Sequence, residues 1–113
     1  EFLDDFPDSE YSQKATESMI ILRKKLAKKL YETGILYLKM DEFEPARMSF
    51  NQVLDDYYDT DIVQEVHIGV VKSFLLEKKT GLAKEYWLNK GQDDVVNDQL
   101  IDEINQLFSK AEK

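Results

Sequence analysis

From Tyr11 onward, apolar or small residues recur at Tyr11, Ala15, Met19, Leu22, Leu26, Leu30, Thr33 and Tyr37, in steps of three or four. Such spacing keeps one side of an α-helix apolar. It predicts a single helix from about Glu10 to about Met40, roughly 45 Å long at 1.5 Å per residue. Asp8 and Ser9 offer capping oxygens just after Pro7, and neither Gly nor Pro intervenes until Gly34. Met40-Asp41-Glu42 then reads as a tight turn. Phe43, Ala46, Phe50, Val53, Leu54 and Tyr57 mark a second helix that tolerates Pro45 in its first turn. Thr60 or Asp61 is placed to cap a third helix carrying Val63, Val66, His67, Val70, Val71 and Phe74, ending near Lys79. Leu82, Ala83, Tyr86 and Trp87 mark a fourth, stopped by Gly91. A fifth runs from about Val95 to Lys110 on Val96, Leu100, Ile101, Ile104, Leu107 and Phe108, with Asp93 and Asp94 at its positive end. Helices joined by turns this short pack as antiparallel hairpins.

The hairpins repeat. Tyr37, Ala46 and Phe50 recur as Phe74, Ala83 and Trp87, each 37 residues later. Gly34 and Tyr37 on one helix, followed by Ala46 and Phe50 on the next, resemble the tetratricopeptide pattern. Small residues there let two helices approach while large rings fill the space beside the contact. The second copy has Val71 where Gly would stand and is degenerate, and its spacing exceeds the usual 34 residues. Leu3-Asp4-Asp5-Phe6-Pro7-Asp8-Ser9 also parallels Leu54-Asp55-Asp56-Tyr57-Tyr58-Asp59-Thr60, so both segments read as junctions between units. The expected architecture is an all-α, antiparallel helix-hairpin solenoid fragment with a long first helix and a C-terminal capping helix. Residues 1–7 end a preceding repeat, 10–60 form the first repeat, 61–91 the degenerate second, and 94–111 the cap. In such a hairpin, first-helix residues turned away from the second helix line the inner, partner-binding face. Those are Lys28, Tyr31, Ile35 and Leu38 in the first repeat, and Glu65, Ile68, Lys72 and Leu75 in the second.

Composition narrows the function. The chain has 113 residues, room for one small domain and not for a large enzyme cleft as well. Its net charge of −8 repels phosphate backbones and anionic head groups, so nucleic acid is not an expected partner. With no cysteine, disulfides, thiolate nucleophiles and Cys-based zinc sites are excluded. The longest apolar runs, such as Met19 to Leu22, fall far short of the roughly 20 residues of a membrane span. Starting at Glu1 without an initiator Met, the chain reads as a piece of a longer protein.

Three features invite a chemical reading. Asp4, Asp5, Asp8 and Asp55, Asp56, Asp59 both spell Asp-Asp-x-x-Asp, an arrangement that elsewhere holds magnesium and diphosphate. Here the third Asp of each set is expected to cap a helix, and no basic clamp for diphosphate accompanies the pattern, so helix junctions are the expectation. His67, the one histidine, falls on an apolar stripe with neither a nucleophilic Ser nor a metal cluster at suitable spacing. No Gly-rich phosphate loop occurs. No enzyme, metal or cofactor is therefore expected. Lys24, Lys25, Lys28 and Lys29 form a basic cluster, read as a solvated face paired with Glu17 or Glu32, or as a docking surface for an acidic partner.

Phe6-Pro7-Asp8-Ser9-Glu10-Tyr11, Ala15, Leu22-Arg23-Lys24-Lys25-Leu26-Ala27 leading into Tyr31 and Tyr37, and Leu54 to Thr60 carry a further likeness. The stretch from Phe6 to about Gly91 resembles the C-terminal half of the BamD family, tetratricopeptide lipoproteins of the machinery that inserts β-barrels into the bacterial outer membrane. Tyr58 stands where that family usually has Pro, and the likeness does not extend to the charged helix from Val95 onward. The resemblance implies a scaffold on the periplasmic face of the outer membrane, tethered by a lipid on an upstream Cys and otherwise soluble. It implies contact with the barrel-inserting subunit and other accessory lipoproteins. The alternative is a generic tetratricopeptide adaptor for a peptide or chaperone partner.

Overall fold

The first helix is much longer than the one that returns along it, and that mismatch shapes the molecule. The computed structural model describes residues 10–111, with side chains from residue 13 onward. Helix α1 (Glu10–Lys39) spans 30 residues and α2 (Phe43–Asp56) only 14. At 1.5 Å per residue, α2 covers roughly half of its neighbour. Among the described side chains of α1 the buried positions are accordingly Ala27, Gly34 and Leu38. Met19 and Leu22 of the expected stripe are 62% and 56% exposed, because no described element lies against the first turns of α1. The expected end of a preceding repeat, at residues 1–7, lies outside the described residues.

Asp41, with φ of 59°, ends α1 in the left-handed conformation. Its N–H donates to the Leu38 carbonyl at 3.1 Å and that of Glu42 to Tyr37 at 2.9 Å, satisfying carbonyls that the last helical turn leaves free. The second hairpin repeats the device: Lys78 has φ of 65°, its N–H donates to Leu75 and that of Lys79 to Phe74. Asp41 and Lys78 are 37 residues apart, so the spacing read from side chains is also the spacing of the backbone turns.

Helix α3 (Val63–Leu76) is buried continuously from Val66 to Val71, because neighbours flank it on several sides. It begins without a side-chain cap. Thr60 Oγ1 donates to the Tyr57 carbonyl at 2.7 Å, and Asp59 pairs with Arg23 at 2.6 Å, so neither performs the capping expected at this junction. Arg23 also donates to the Asp56 carbonyl at 2.8 Å and stacks 5.1 Å above the Tyr57 ring, fastening α1 to the α2–α3 connection. Arg47 fastens α2 to α3: it lies 4.4 Å over Phe74, donates to Ser73 Oγ at 3.2 Å, and stands 2.8 Å from Glu77.

Helix α4 (Thr80–Tyr86) does not stop at Gly91. It passes through a π-helical turn, Trp87–Gly91, into a last turn, Gln92–Asp94. A Cβ on Gly91 would stand 2.6 Å from Trp87 Cε3, so the glycine makes room for the indole inside a continuing helix. Val95 turns extended with ψ of 112° and breaks the chain out. Helix α5 therefore starts at Asp98 (Asp98–Ala111). Asn97 Oδ1 caps it, accepting from the N–H groups of Gln99 and Leu100 at 2.9 and 3.2 Å. Asp93 and Asp94 belong to the end of the preceding helix and not to the positive end of α5.

The fold is all-helical and tetratricopeptide-like. One core gathers Ala27, Leu38, Ala46, Phe50, Val53, Val66 and Val70; a second gathers Ile68, Val71, Ala83 and Ile104, with Phe74 and Tyr86 packed against both. Phe50 is fully buried at the centre of the first. Its ring lies against Gly34 of α1 and Gly69 of α3, both bare of the Cβ that would collide with it.

Candidate functional site

Slot positions in the repeat put the expected partner-binding face on α1 and α3, and a groove lies there. Tyr31 and Ile35 of α1, Glu65, Ile68, Gly69 and Lys72 of α3, and Leu100 and Glu103 of α5 enclose a hollow of about 110 Å³. It adjoins a wider hollow of about 700 Å³, where Tyr31, Ile35 and Lys72 are joined by Lys29, Glu32, Thr33, Leu36 and Lys39. Tyr31 packs on Phe50 with ring centres 5.9 Å apart, so the fully buried ring props the groove wall. Burial, reinforced by Glu65 and Glu103, pushes the Tyr31 phenol above its usual pKa and keeps it a neutral donor.

Five of the eight residues expected on this face line the groove: Tyr31, Ile35, Glu65, Ile68 and Lys72. Lys28 is exposed on α1 beside it. Leu38 is turned into the first core, 7% exposed, and Leu75 packs against the second, so neither presents a binding surface there. Slot reasoning missed Leu100 and Glu103, because it treated α5 as an end cap. The apolar and acidic stripes of that helix were the available signal. Lys72 Nζ stands 3.9 Å from Glu103 Oε1, linking α3 to α5 across the hollow.

A second, polar cleft of about 730 Å³ lies among α2, α3 and the end of α4, bordered by Asn51, Asp55, Thr60, Gln64, His67, Lys90 and Asp94. His67 is 3% exposed, with Nδ1 2.7 Å from the Tyr86 hydroxyl and Nε2 2.9 Å from Asp94 Oδ2. A neutral ring satisfies both contacts by donating from Nε2 to the carboxylate and accepting from the phenol at Nδ1. Burial lowers the His67 pKa, while Asp94 opposes that shift. Both ring nitrogens are thus engaged by neighbouring side chains. The imidazole ties α3 to the residues on either side of the π-helical turn, Tyr86 and Asp94.

The aspartates of the second junction diverge. Asp55 borders the polar cleft while Asp59 turns to Arg23, whose guanidinium holds its carboxyl below the usual range. Among the described residues no three His, Cys, Asp or Glu side chains converge as a metal site. The first set, Asp4, Asp5 and Asp8, lies outside the described residues. Lys24, Lys25, Lys28 and Lys29 are all exposed and make no ion pair with Glu17 or Glu32 among the described residues.

Antiparallel helix hairpins repeating every 37 residues, with a groove across their first helices, define a tetratricopeptide-like scaffold. Residues 1–85, three quarters of the chain, match the family described as YfiO, outer membrane lipoprotein, and the chain belongs to that family. This is the BamD-like family whose likeness is carried by the long first helix and the two junctions. The match ends within α4, so α5 lies outside it. No curated protein and no solved structure matches the chain. No described helix is long and apolar enough to cross a membrane.

Proposed function

We propose that this chain is a protein-binding scaffold, a BamD-like accessory subunit of the machinery that assembles β-barrel proteins in the outer membrane. In this reading residues 10–60 and 61–91 are successive repeats and α5 closes the array. The lipid anchor is supplied outside these residues, and the partners are periplasmic domains of the barrel-inserting subunit and other accessory lipoproteins. The observation that carries the reading is the groove: Tyr31, Ile35 and Ile68, from two successive first helices, face one hollow in a chain of outer-membrane lipoprotein type. Such a surface suits a protein partner, since it offers apolar anchors between charges.

A photo-crosslinking side chain placed at Ile35 of the full-length protein in its own cells tests this. Crosslinks to the barrel-inserting subunit or to accessory lipoproteins are the expected result. Crosslinks confined to a chaperone or a cell-wall enzyme would replace it with the adaptor reading.

A further inference from the structure

The wider hollow joins two features that protein surfaces usually separate. Its floor is apolar, with Leu36 56% exposed beside Tyr31 and Ile35. Its rim is basic: Lys29 and Lys39 stand beside Glu32, and Lys72, paired with Glu103, closes it, in a chain whose net charge is −8. Neither Lys29 nor Lys39 has an ion-pair partner among the described residues. A local positive rim on a negative molecule selects partners by charge, and an exposed leucine among rings and branched chains gives them something to bury.

The same side of α3 already carries one ligand of matching chemistry. Helix α5 is amphipathic: Ile104 is fully buried, Leu100, Leu107 and Phe108 pack around it, and Asp98, Asp102 and Glu103 stand on its flank. Glu103 reaches toward Lys72. Leu100 and Glu103 thus form one wall of the groove, and Lys72 is shared between that wall and the basic rim. The open hollow continues the surface on which α5 is seated.

We infer that the wider hollow, lined by α1 and Lys72 of α3, receives an acidic amphipathic helix of a partner protein, with apolar residues on Ile35 and Leu36 and carboxylates toward Lys29 and Lys39. This deepens the scaffold reading and rests on it. The narrow end between Ile68 and Leu100 has room for one apolar side chain, while the helix itself, roughly 10–12 Å across with its side chains, needs the wider part. Nucleic acid or lipid head groups would use the lysines but leave the apolar floor of Ile35 and Leu36 uncovered.

Fluorescence anisotropy on the intact chain, with labelled 16-residue helical peptides as probes, tests the inference. One peptide carries Leu at i, i+3, i+4 and i+7 with Glu elsewhere; a second replaces every Glu by Lys; a third replaces every Leu by Ser. The acidic amphipathic peptide should bind at least tenfold more tightly than either control. Reversing Lys29→Glu and Lys39→Glu together should weaken it about tenfold, whereas Lys24→Glu with Lys25→Glu, outside the hollow, should not, all with unchanged circular dichroism. Equal binding of the acidic and basic peptides, or indifference to the Lys29 and Lys39 reversals, overturns the inference. So does binding to phosphatidylglycerol vesicles, or self-association in sedimentation, that those reversals alone abolish. Crosslinks from Ile35 to the assembly machinery that persist without any peptide binding would overturn this inference and leave the scaffold reading standing.

Discussion

The ring of Phe50 occupies the space in which Gly34 would carry a side chain: a Cβ built there would stand 2.7 Å from Phe50 Cδ1. Gly69 faces the same ring from α3, with 2.8 Å to Cζ. An aromatic ring locked between three helices cannot swing away as a flexible chain end would. Gly34→Ala should therefore destabilise by about 1–2 kcal/mol, since overpacking outweighs the helix propensity that alanine adds. Gly69→Ala should act in the same direction. Gly81→Ala, with nothing within 4 Å, should be neutral or stabilise by up to about 0.5 kcal/mol. Urea denaturation checks the order. Phe50→Leu placed in the Gly34→Ala background should recover part of the loss, and strict additivity would refute the steric account.

Both hairpins close on a residue in the left-handed region, and neither is glycine. Such a conformation costs an L-residue roughly 1–2 kcal/mol, less for Asp, whose short side chain tolerates it. Lys78→Gly should thus stabilise the fold by about 0.5–1 kcal/mol after the greater freedom of glycine in the unfolded chain is subtracted. Asp41→Gly should gain less. Equilibrium denaturation of the two variants gives the comparison, and a larger gain at Asp41 would contradict the backbone explanation.

Local signals carried the helices and the repeat, because periodicity and turns are local. The stripe from Tyr11 to Tyr37 marked one continuous helix, and the 37-residue spacing of Tyr37, Ala46 and Phe50 from Phe74, Ala83 and Trp87 reappears in the Asp41 and Lys78 turns. Burial along that helix was not legible. Met19, Leu22 and Leu26 share the stripe with Leu30, yet whether a stripe is covered depends on how far the neighbour extends, and α2 is too short. Gly91 misled for a related reason. Glycine often ends helices, but here it accommodates Trp87, a contact four residues away on the same helix that only the packing requires. Five groove residues followed from repeat slots, whereas Leu100 and Glu103 did not. Their position depends on where a three-residue connector, Val95 to Asn97, aims α5. Gln64 Oε1 sets that direction by accepting from the N–H groups of Val96 and Asn97 at 3.0 Å each.

His67 makes stability depend on pH in a defined sense. Burial holds its pKa in the folded chain below the ordinary 6.5, with Asp94 opposing and Lys90 assisting that shift. Between the two values the unfolded chain binds a proton that the folded chain does not, so stability is complete at higher pH and is lost as pH falls below 6.5. Glu77 and Asp59, held low by Lys79 with Arg47 and by Arg23 respectively, lose their contributions only in the more acidic carboxylate range. Urea denaturation between pH 8 and 5 should show stability declining on acidification, and His67→Gln should flatten the decline. Stability rising toward pH 5 in the parent chain would contradict the placement of a neutral imidazole between Tyr86 and Asp94.

Ile104 is the fully buried residue of α5, packed with Ile68, Val71 and Ala83 in the second core. Removing its side chain to the β-carbon leaves a cavity between α5 and α3, and large-to-small changes of this kind cost about 2–5 kcal/mol. The first core surrounds Phe50 and contains no α5 residue, so the loss should fall on the docking of α5 and not on the α1–α2 hairpin. Trp87, the one tryptophan, packs against the same cluster and reports on it. Ile104→Ala should shift the Trp87 emission to longer wavelength and raise amide exchange from Gln99 to Lys110, while protection at Leu38, Phe50 and Val53 stays near the parent level. Uniform loss of protection in both cores would instead mean that α5 and the hairpins unfold as one unit.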